Sequence, residues 1–258
     1  MQLFYREKGH PHQPPLIILH GLWGASDNWL TVAEALSGFH VILPDLRNHG
    51  QSPHHPEHTY AAMSEDIREF IRQLQLPEKP VIVGHSMGGK CLMYMLLNHP
   101  NIARKAVVID IAPKAYGEEN AHWHRNIAEF LTHFPFLPGE SRGAVHHRIR
   151  AAIPDEDTCQ LLFKNLRKEE KRFGWRLHAE ALSQALPGVM AWNAELLPCP
   201  VQVLFIRGER SRHLTPEDQP FIRSLFPHAT FTTIPNAGHR IHAEQPDNLA
   251  EILRKWAE

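Results

Sequence analysis

Five residues, Gly84-His85-Ser86-Met87-Gly88, stand between an apolar stretch, Val81-Ile82-Val83, and an apolar run from Met87 to Leu97. A serine flanked by glycines at a strand-to-helix turn is lifted clear of its neighbours, so its hydroxyl can attack an electrophile. The helix that follows offers a positive dipole end and free backbone N–H groups to a developing oxyanion. The pentapeptide alone recurs by chance. With the strand before it and the buried helix after it, the signal is specific, and Ser86 is the candidate nucleophile.

A serine hydroxyl needs a base, and the base needs an acid to orient it. The last apolar strand ends at Ile234 and is followed by Pro235-Asn236-Ala237-Gly238-His239. A histidine on that loop fits the chain order serine, acid, histidine. His239 is therefore the candidate base. His242 competes for the role and reads as a helix-start residue, and Gly238 is expected to let the loop approach the serine turn. The acid is less direct. After Val203 to Ile206 the chain reads Arg207-Gly208-Glu209-Arg210-Ser211, with Ser211 where an aspartate is expected. The alternative is Asp110 in Ile109-Asp110-Ile111-Ala112-Pro113. A carboxylate flanked by isoleucines is costly to bury without a partner, and His239 would supply one. Asp110 is the candidate acid, Ser211 its hydrogen-bonding support, and Glu209 and Glu180 are the weaker alternatives.

His20-Gly21-Leu22-Trp23-Gly24 follows another strand. The backbone N–H groups of Leu22 and Met87 are the expected oxyanion donors, with His20 holding the loop. Asp45-Leu46-Arg47-Asn48-His49-Gly50-Gln51-Ser52 reads as a loop that buttresses it, without a catalytic part. Histidine clusters at His54-His55-x-x-His58, His122-x-His124 and His146-His147 lack metal-site spacing and read as surface, so no metal and no cofactor is expected.

These residues need a scaffold with several strand ends on one side. Short Val- and Ile-rich runs at Leu16 to Leu19, Val41 to Leu43, Val81 to Val83, Ala106 to Ile109, Val201 to Ile206 and Thr230 to Ile234 read as buried parallel strands. Helical spacing fills the gaps: Asp27 to Leu36 with Ser26 as N-cap, Met63 to Leu76, Met87 to Leu97 and Pro246 to Trp256. The alternation predicts a doubly wound, mostly parallel α/β sheet. From Pro113 to Pro198 no strand is evident, and the charge run Arg167 to Arg172 reads as a solvated helix face. The expected division is a core of 1–112 and 199–258 with a helical cap of 113–198.

The 258 residues suit one domain with an insertion or two domains. With 43% hydrophobic and 21% charged residues the chain is globular, and 27 basic against 28 acidic side chains give no footprint for nucleic acid. Neither a signal peptide nor a membrane span is expected. Cys91, Cys159 and Cys199, odd in number and far apart, fit a reducing cytoplasm.

Taken together, His20-Gly21-Leu22, Asp45-x-Arg47-Asn48-His49-Gly50-x-Ser52, Gly84-His85-Ser86-Met87-Gly88-Gly89-Lys90, Ile109-Asp110-Ile111-Ala112-Pro113 and Ala237-Gly238-His239 resemble the YbfF-type bacterial carboxylesterases and their eukaryotic abhydrolase-domain relatives. The resemblance spans nearly the whole chain in order. It implies the α/β-hydrolase fold with the cap inserted after the strand ending at Asp110. It also implies hydrolysis of small-molecule acyl esters or thioesters of short-to-medium length, and an acid at Asp110. The cap matches poorly, so substrate identity does not carry over. Two other classes compete. A same-triad carbon–carbon bond hydrolase or menaquinone-pathway-type lyase needs basic residues in its pocket, for which Arg125, Arg176 and Lys90 are the candidates. A non-enzymatic hydrolase-fold receptor is the third reading, against which the intact Ser, His and Asp argue. Haloalkane dehalogenases and epoxide hydrolases use an aspartate where this turn carries Ser86.

Overall fold

The computed structural model describes residues 1–192 and 197–258. The chain opens with β1 (Tyr5–Lys8), β2 (Pro15–Leu19), α1 (Leu30–Ala35), β3 (His40–Pro44), α2 (Tyr60–Leu74), β4 (Val81–His85), α3 (Met87–Asn98) and β5 (Lys105–Ile109). It then leaves the sheet for α4 (Glu118–His133), α5 (Arg142–Ala152), α6 (Glu156–Lys164), the short strands β6 (Leu166–Lys168) and β7 (Phe173–Trp175), and α7 (Ala179–Met190). It returns through β8 (Val203–Gly208), α8 (Gln219–Leu225), β9 (Ala229–Ile234), α9 (Ile241–Glu244) and α10 (Pro246–Ala257).

The seven-stranded sheet runs β1-β3-β2-β4-β5-β8-β9. Only β1 is antiparallel to its neighbour. Every residue of β2, β3 and β4 is buried, which is why these strands read as continuous apolar runs. Alternate side chains feed two cores. Ile17, Ile42 and Ile82 meet Met63, Ile67, Leu92 and Leu96 of α2 and α3 on one face. Leu16, Val41 and Val81 meet Val32, Leu249 and Leu253 of α1 and α10 on the other. The strand order reverses beside β2, with β3 on one side and β4 on the other. Ligands gather at such a switch point, beyond the carboxyl ends of the strands.

Three local expectations change. β1 went unread because Tyr5-Arg6-Glu7-Lys8 is largely exposed at the sheet edge and carries no apolar run. Ser26 does not cap α1: a 3₁₀ turn, Ser26–Trp29, precedes it, and the Asn28 side chain accepts from the Ala25 N–H at 2.8 Å. The charge run is not a helix face. Leu166 pairs with Trp175 and Lys168 with Phe173 in an antiparallel ribbon, and Glu169 at its turn pairs with Arg167 and Arg172. Leu166, Phe173 and Trp175 point into the core. Among the described residues, no helix is long and apolar enough to cross a membrane.

Candidate active site

Ser86 sits between β4 and α3 with φ 53° and ψ −120°, a conformation that L-residues rarely adopt. The turn is held on both sides. The Ser86 N–H bonds to the Ile109 carbonyl at 3.1 Å, and the Ser86 carbonyl accepts from the Lys90 N–H at 3.0 Å. A side chain at Gly88 would fall 2.6 Å from the carbonyl oxygens of Leu19 and His20. Glycine there lets the loop after β2 lie directly against the start of α3. That closeness brings the Leu22 and Met87 backbone to one place. Neither N–H has an acceptor among the described residues, and Met87 is the first residue of its helix, whose N–H has no intrahelical partner.

The Ser86 Oγ lies 3.1 Å from His239 Nε2, and His239 Nδ1 lies 2.7 Å from Asp110 Oδ2. With Nδ1–H donating to the carboxylate, Nε2 is left free to accept the serine proton. Asp110 is fully buried, and its backbone has φ 51°. Ser211 Oγ donates to Asp110 Oδ2, and the Gly208 N–H donates to Oδ1 at 3.0 Å. Burial lowers the His239 pKa to about 3, helped by the charges of His124, His242 and Arg240, so the imidazole is neutral as a base must be. Burial raises the Asp110 pKa to about 6, against the bonds from Ser211 and Gly208. Gly238 does not make the close approach expected of it; its N–H binds Glu244 at 2.8 Å. Gly208 does so instead, since a side chain there would fall 2.2 Å from the Gly238 carbonyl.

The other acids lie elsewhere. Glu209 accepts from the Asn236 N–H at 2.9 Å, and Glu180 is exposed in the first turn of α7. His242 does not reach Ser86 by hydrogen bond; its ring stacks on Trp29 at 4.6 Å.

The loop after β3 braces the loop after β2. His20 Nδ1 donates to the Gly21 carbonyl at 2.9 Å, and Nε2 accepts from the Leu46 N–H at 2.9 Å. His49 Nε2 accepts from the Trp23 N–H at 3.3 Å. The Asp45 carboxylate takes the N–H groups of Ser26 and Gln51. Arg47 forms a buried pair with Asp66 at 2.6 Å.

Three histidines escaped the reading of the sequence. His85 Nε2 donates to the His239 carbonyl at 2.8 Å and so holds the backbone of the base. His213 stacks on His239, with centroids 3.8 Å apart and rings inclined by 24°. His124 accepts from Trp23 Nε1 at 2.9 Å and lines the cleft over Ser86. Among the described residues, Asp110, His213 and His239 are the one group with ligand atoms close enough to share a metal, all within 4.8 Å. Two of the three are already bonded to each other. The surface histidines disperse: His54 stacks on His178, His146 on Phe163, and His58 is buried beside Met87.

The three basic candidates present no free cation to Ser86. Arg125 pairs with Glu118, and Arg176 pairs with Asp27 at 3.1 Å. Lys90 is buried and gives its ammonium to the carbonyls of Val189, Met190 and Ala191 at 3.2, 3.1 and 2.9 Å. Desolvation lowers its pKa to about 7.

A family model described as the alpha/beta hydrolase fold matches residues 14–246. The sn-1-specific diacylglycerol lipase ABHD11 of Mus musculus is 34% identical over 251 residues, which is 94% of this chain and 80% of the relative. The esterase YbfF of Escherichia coli (strain K12) is 31% identical over 244 residues, 94% of this chain and 92% of the relative. Among solved structures, a marine microorganism esterase superposes with a TM-score of 0.93 at 36% identity, over 98% of both chains.

Proposed function

The chain belongs to the alpha/beta hydrolase family, and on that premise we propose that it is a carboxylesterase of the serine-hydrolase type, cleaving short-to-medium acyl esters or thioesters through an acyl-enzyme on Ser86. The observation that carries this reading is the unbroken run from Ser86 Oγ to His239 Nε2 at 3.1 Å and from His239 Nδ1 to Asp110 at 2.7 Å.

In this mechanism Ser86 Oγ attacks the acyl carbonyl carbon as its proton passes to His239 Nε2. Asp110 holds the ring in the right tautomer and balances the imidazolium. The carbonyl oxygen, now an oxyanion, takes the N–H groups of Leu22 and Met87. His239 then gives its proton to the leaving oxygen or sulfur, and that bond breaks. Water, deprotonated in turn by His239, attacks the acyl-enzyme and releases the acid and free Ser86. Ser211 and His20 act by support: one holds Asp110, the other the oxyanion loop.

Residues 113–198 serve as the cap over 1–112 and 199–258, because α4 and α6 put Trp123, His124 and Leu161 over the cleft that holds Ser86. The free, buried Cys91, Cys159 and Cys199 suit a reducing compartment, and the reading places the enzyme in the cytoplasm. A lyase or carbon–carbon hydrolase acting on anions is less well served, since Lys90, Arg125 and Arg176 are all engaged.

The test is turnover of p-nitrophenyl esters and acyl-CoA thioesters together with fluorophosphonate labelling. Hydrolysis and a label on the Ser86 peptide are expected, both lost in Ser86→Ala. Labelling on another serine, or Ser86→Ala retaining most of kcat, would overturn the reading.

A further inference from the structure

Two recesses meet at Ser86, and they differ in size and in company. One is a cleft of about 440 Å³ that includes His239, Arg240, Trp29 and Trp123. That volume is in the range of pockets that hold whole small molecules. The other is a recess of about 20 Å³ walled by Met87, Ile111, Tyr60, Tyr116, Val189 and Met190. That is room for about one water-sized group. Leu22 and Ser86 belong to both.

The chemistry decides which half of an ester enters which recess. The group that leaves must take its proton from His239 Nε2, so it lies on the His239 side of Ser86. His239 lines the large cleft and not the small recess. The acyl chain runs the other way from the carbonyl carbon, past Met87 and toward Ile111 and Met190.

The small recess is also fixed in size. Its floor is the end of α7, and Lys90 of α3 binds three successive carbonyls there. Tyr116 adds a second tie, since its N–H donates to the Met190 carbonyl at 3.0 Å. Each of the three ammonium hydrogens of Lys90 has an acceptor, so none is left over for a carboxylate at the end of an acyl chain. The floor is therefore uncharged in effect and hard to displace.

Resting on the esterase reading, we propose that the substrate is an ester or thioester of a short, uncharged acyl group, acetyl or propionyl in size, carried on a bulky leaving group. The selectivity is set by the end of α7 that Lys90 holds against the nucleophile's helix. The large cleft, flanked by Trp29 and Trp123, accepts the alcohol or thiol.

The experiment is a double series of kcat/KM. In the first, p-nitrophenyl acetate, propionate, butyrate, hexanoate and octanoate vary the acyl group. In the second, ethyl, benzyl and naphthylmethyl acetates vary the alcohol. Activity is expected to fall by about tenfold or more between propionate and hexanoate, the scale of forcing methylenes into a packed site. The alcohol series is expected to hold or rise. In Val189→Ala and Met190→Ala the octanoate-to-acetate ratio should rise, a ratio that does not depend on how much of the variant is folded. Octanoate matching acetate in the wild type would overturn the assignment of the two recesses while leaving the esterase reading intact. A ratio unmoved in both variants would also overturn it. Turnover of no ester in either series would instead bring down the esterase reading, and this assignment with it.

Discussion

Ser211 gives its hydroxyl hydrogen to the same Asp110 oxygen that takes the Nδ1–H of His239. The loop after β8 carries a serine where a carboxylate is expected, and the carboxylate comes from the end of β5 instead. A hydroxyl can orient the acid, but it cannot balance an imidazolium. Asp110→Asn is therefore expected to cost about 10⁴ in kcat, the scale found for the wrong tautomer in a serine protease. Ser211→Ala should cost about tenfold, as for one neutral hydrogen bond. Glu209→Gln and Glu180→Gln should stay near wild type. Collapse in either glutamate variant beside a healthy Asp110→Asn would assign the acid elsewhere.

The pH profile follows from the same pair. In the free enzyme His239 and Asp110 must both be unprotonated for His239 to act as base. Burial moves the two apart: His239 falls to about 3, and Asp110 rises to about 6. The protons leave the pair in steps that belong to the pair, the last of them near about 6. So kcat/KM should climb with rising pH and level off by about pH 7, with a midpoint below the 6.5 of free imidazole. In Asp110→Asn the imidazolium loses its counter-charge, and the midpoint of the residual activity should move further down. A wild-type midpoint above about 7, near or beyond a free histidine, would contradict this.

The sequence spoke clearly wherever a functional side chain follows a strand in a fixed chain order. Ser86 after β4, Asp110 after β5 and His239 after β9 converge because parallel strands bring their carboxyl ends to one edge. Ser211 was readable as a departure from that order. The residues that could not be read reach the site by tertiary routes. His124 arrives on α4 to meet Trp23, 101 positions away. His85 points at a carbonyl 154 positions on. Among 20 histidines no local spacing separates these from the surface ones. The ribbon of β6 and β7 was hidden for another reason. Six consecutive charged residues mask the period-two burial of Leu166, Phe173 and Trp175 on either side.

The buried pair under the oxyanion loop makes a stability prediction. Arg47 and Asp66 are both nearly inaccessible and meet at 2.6 Å, with Arg47 also donating to the Glu57 carbonyl at 2.9 Å. Asp66→Ala strands a buried guanidinium and should cost about 3–5 kcal/mol, lowering Tm by roughly 10 °C. Arg47→Met with Asp66→Leu removes both charges and should cost less than the single change. Thermal melts of the two variants decide it, and a double variant less stable than the single would refute the assignment of the cost to the stranded charge.

The face of His239 is the last place where a specific residue controls the chemistry. His213 covers it at 3.8 Å and 24°, and its own position is pinned from both ends. Its N–H donates to Ser211 Oγ at 3.2 Å, and its carbonyl accepts from the Tyr116 hydroxyl at 2.5 Å. Burial lowers the His213 pKa to about 3, so the ring stays neutral and acts on His239 by packing and by excluding water. His213→Ala would open that face. Water would then solvate the imidazolium form of His239, raising its pKa toward the free value, and the ring would lose its fixed tilt. We expect kcat/KM to fall by about ten- to a hundredfold, as for a small misplacement of a catalytic group. The acid limb should move to higher pH. His213→Phe keeps a flat ring on the same backbone and should restore both the rate and the limb. A loss of rate in His213→Ala with an unmoved pH profile would show that His213 merely fills space. Failure of His213→Phe to rescue would show that its nitrogens, and not its face, are what His239 needs.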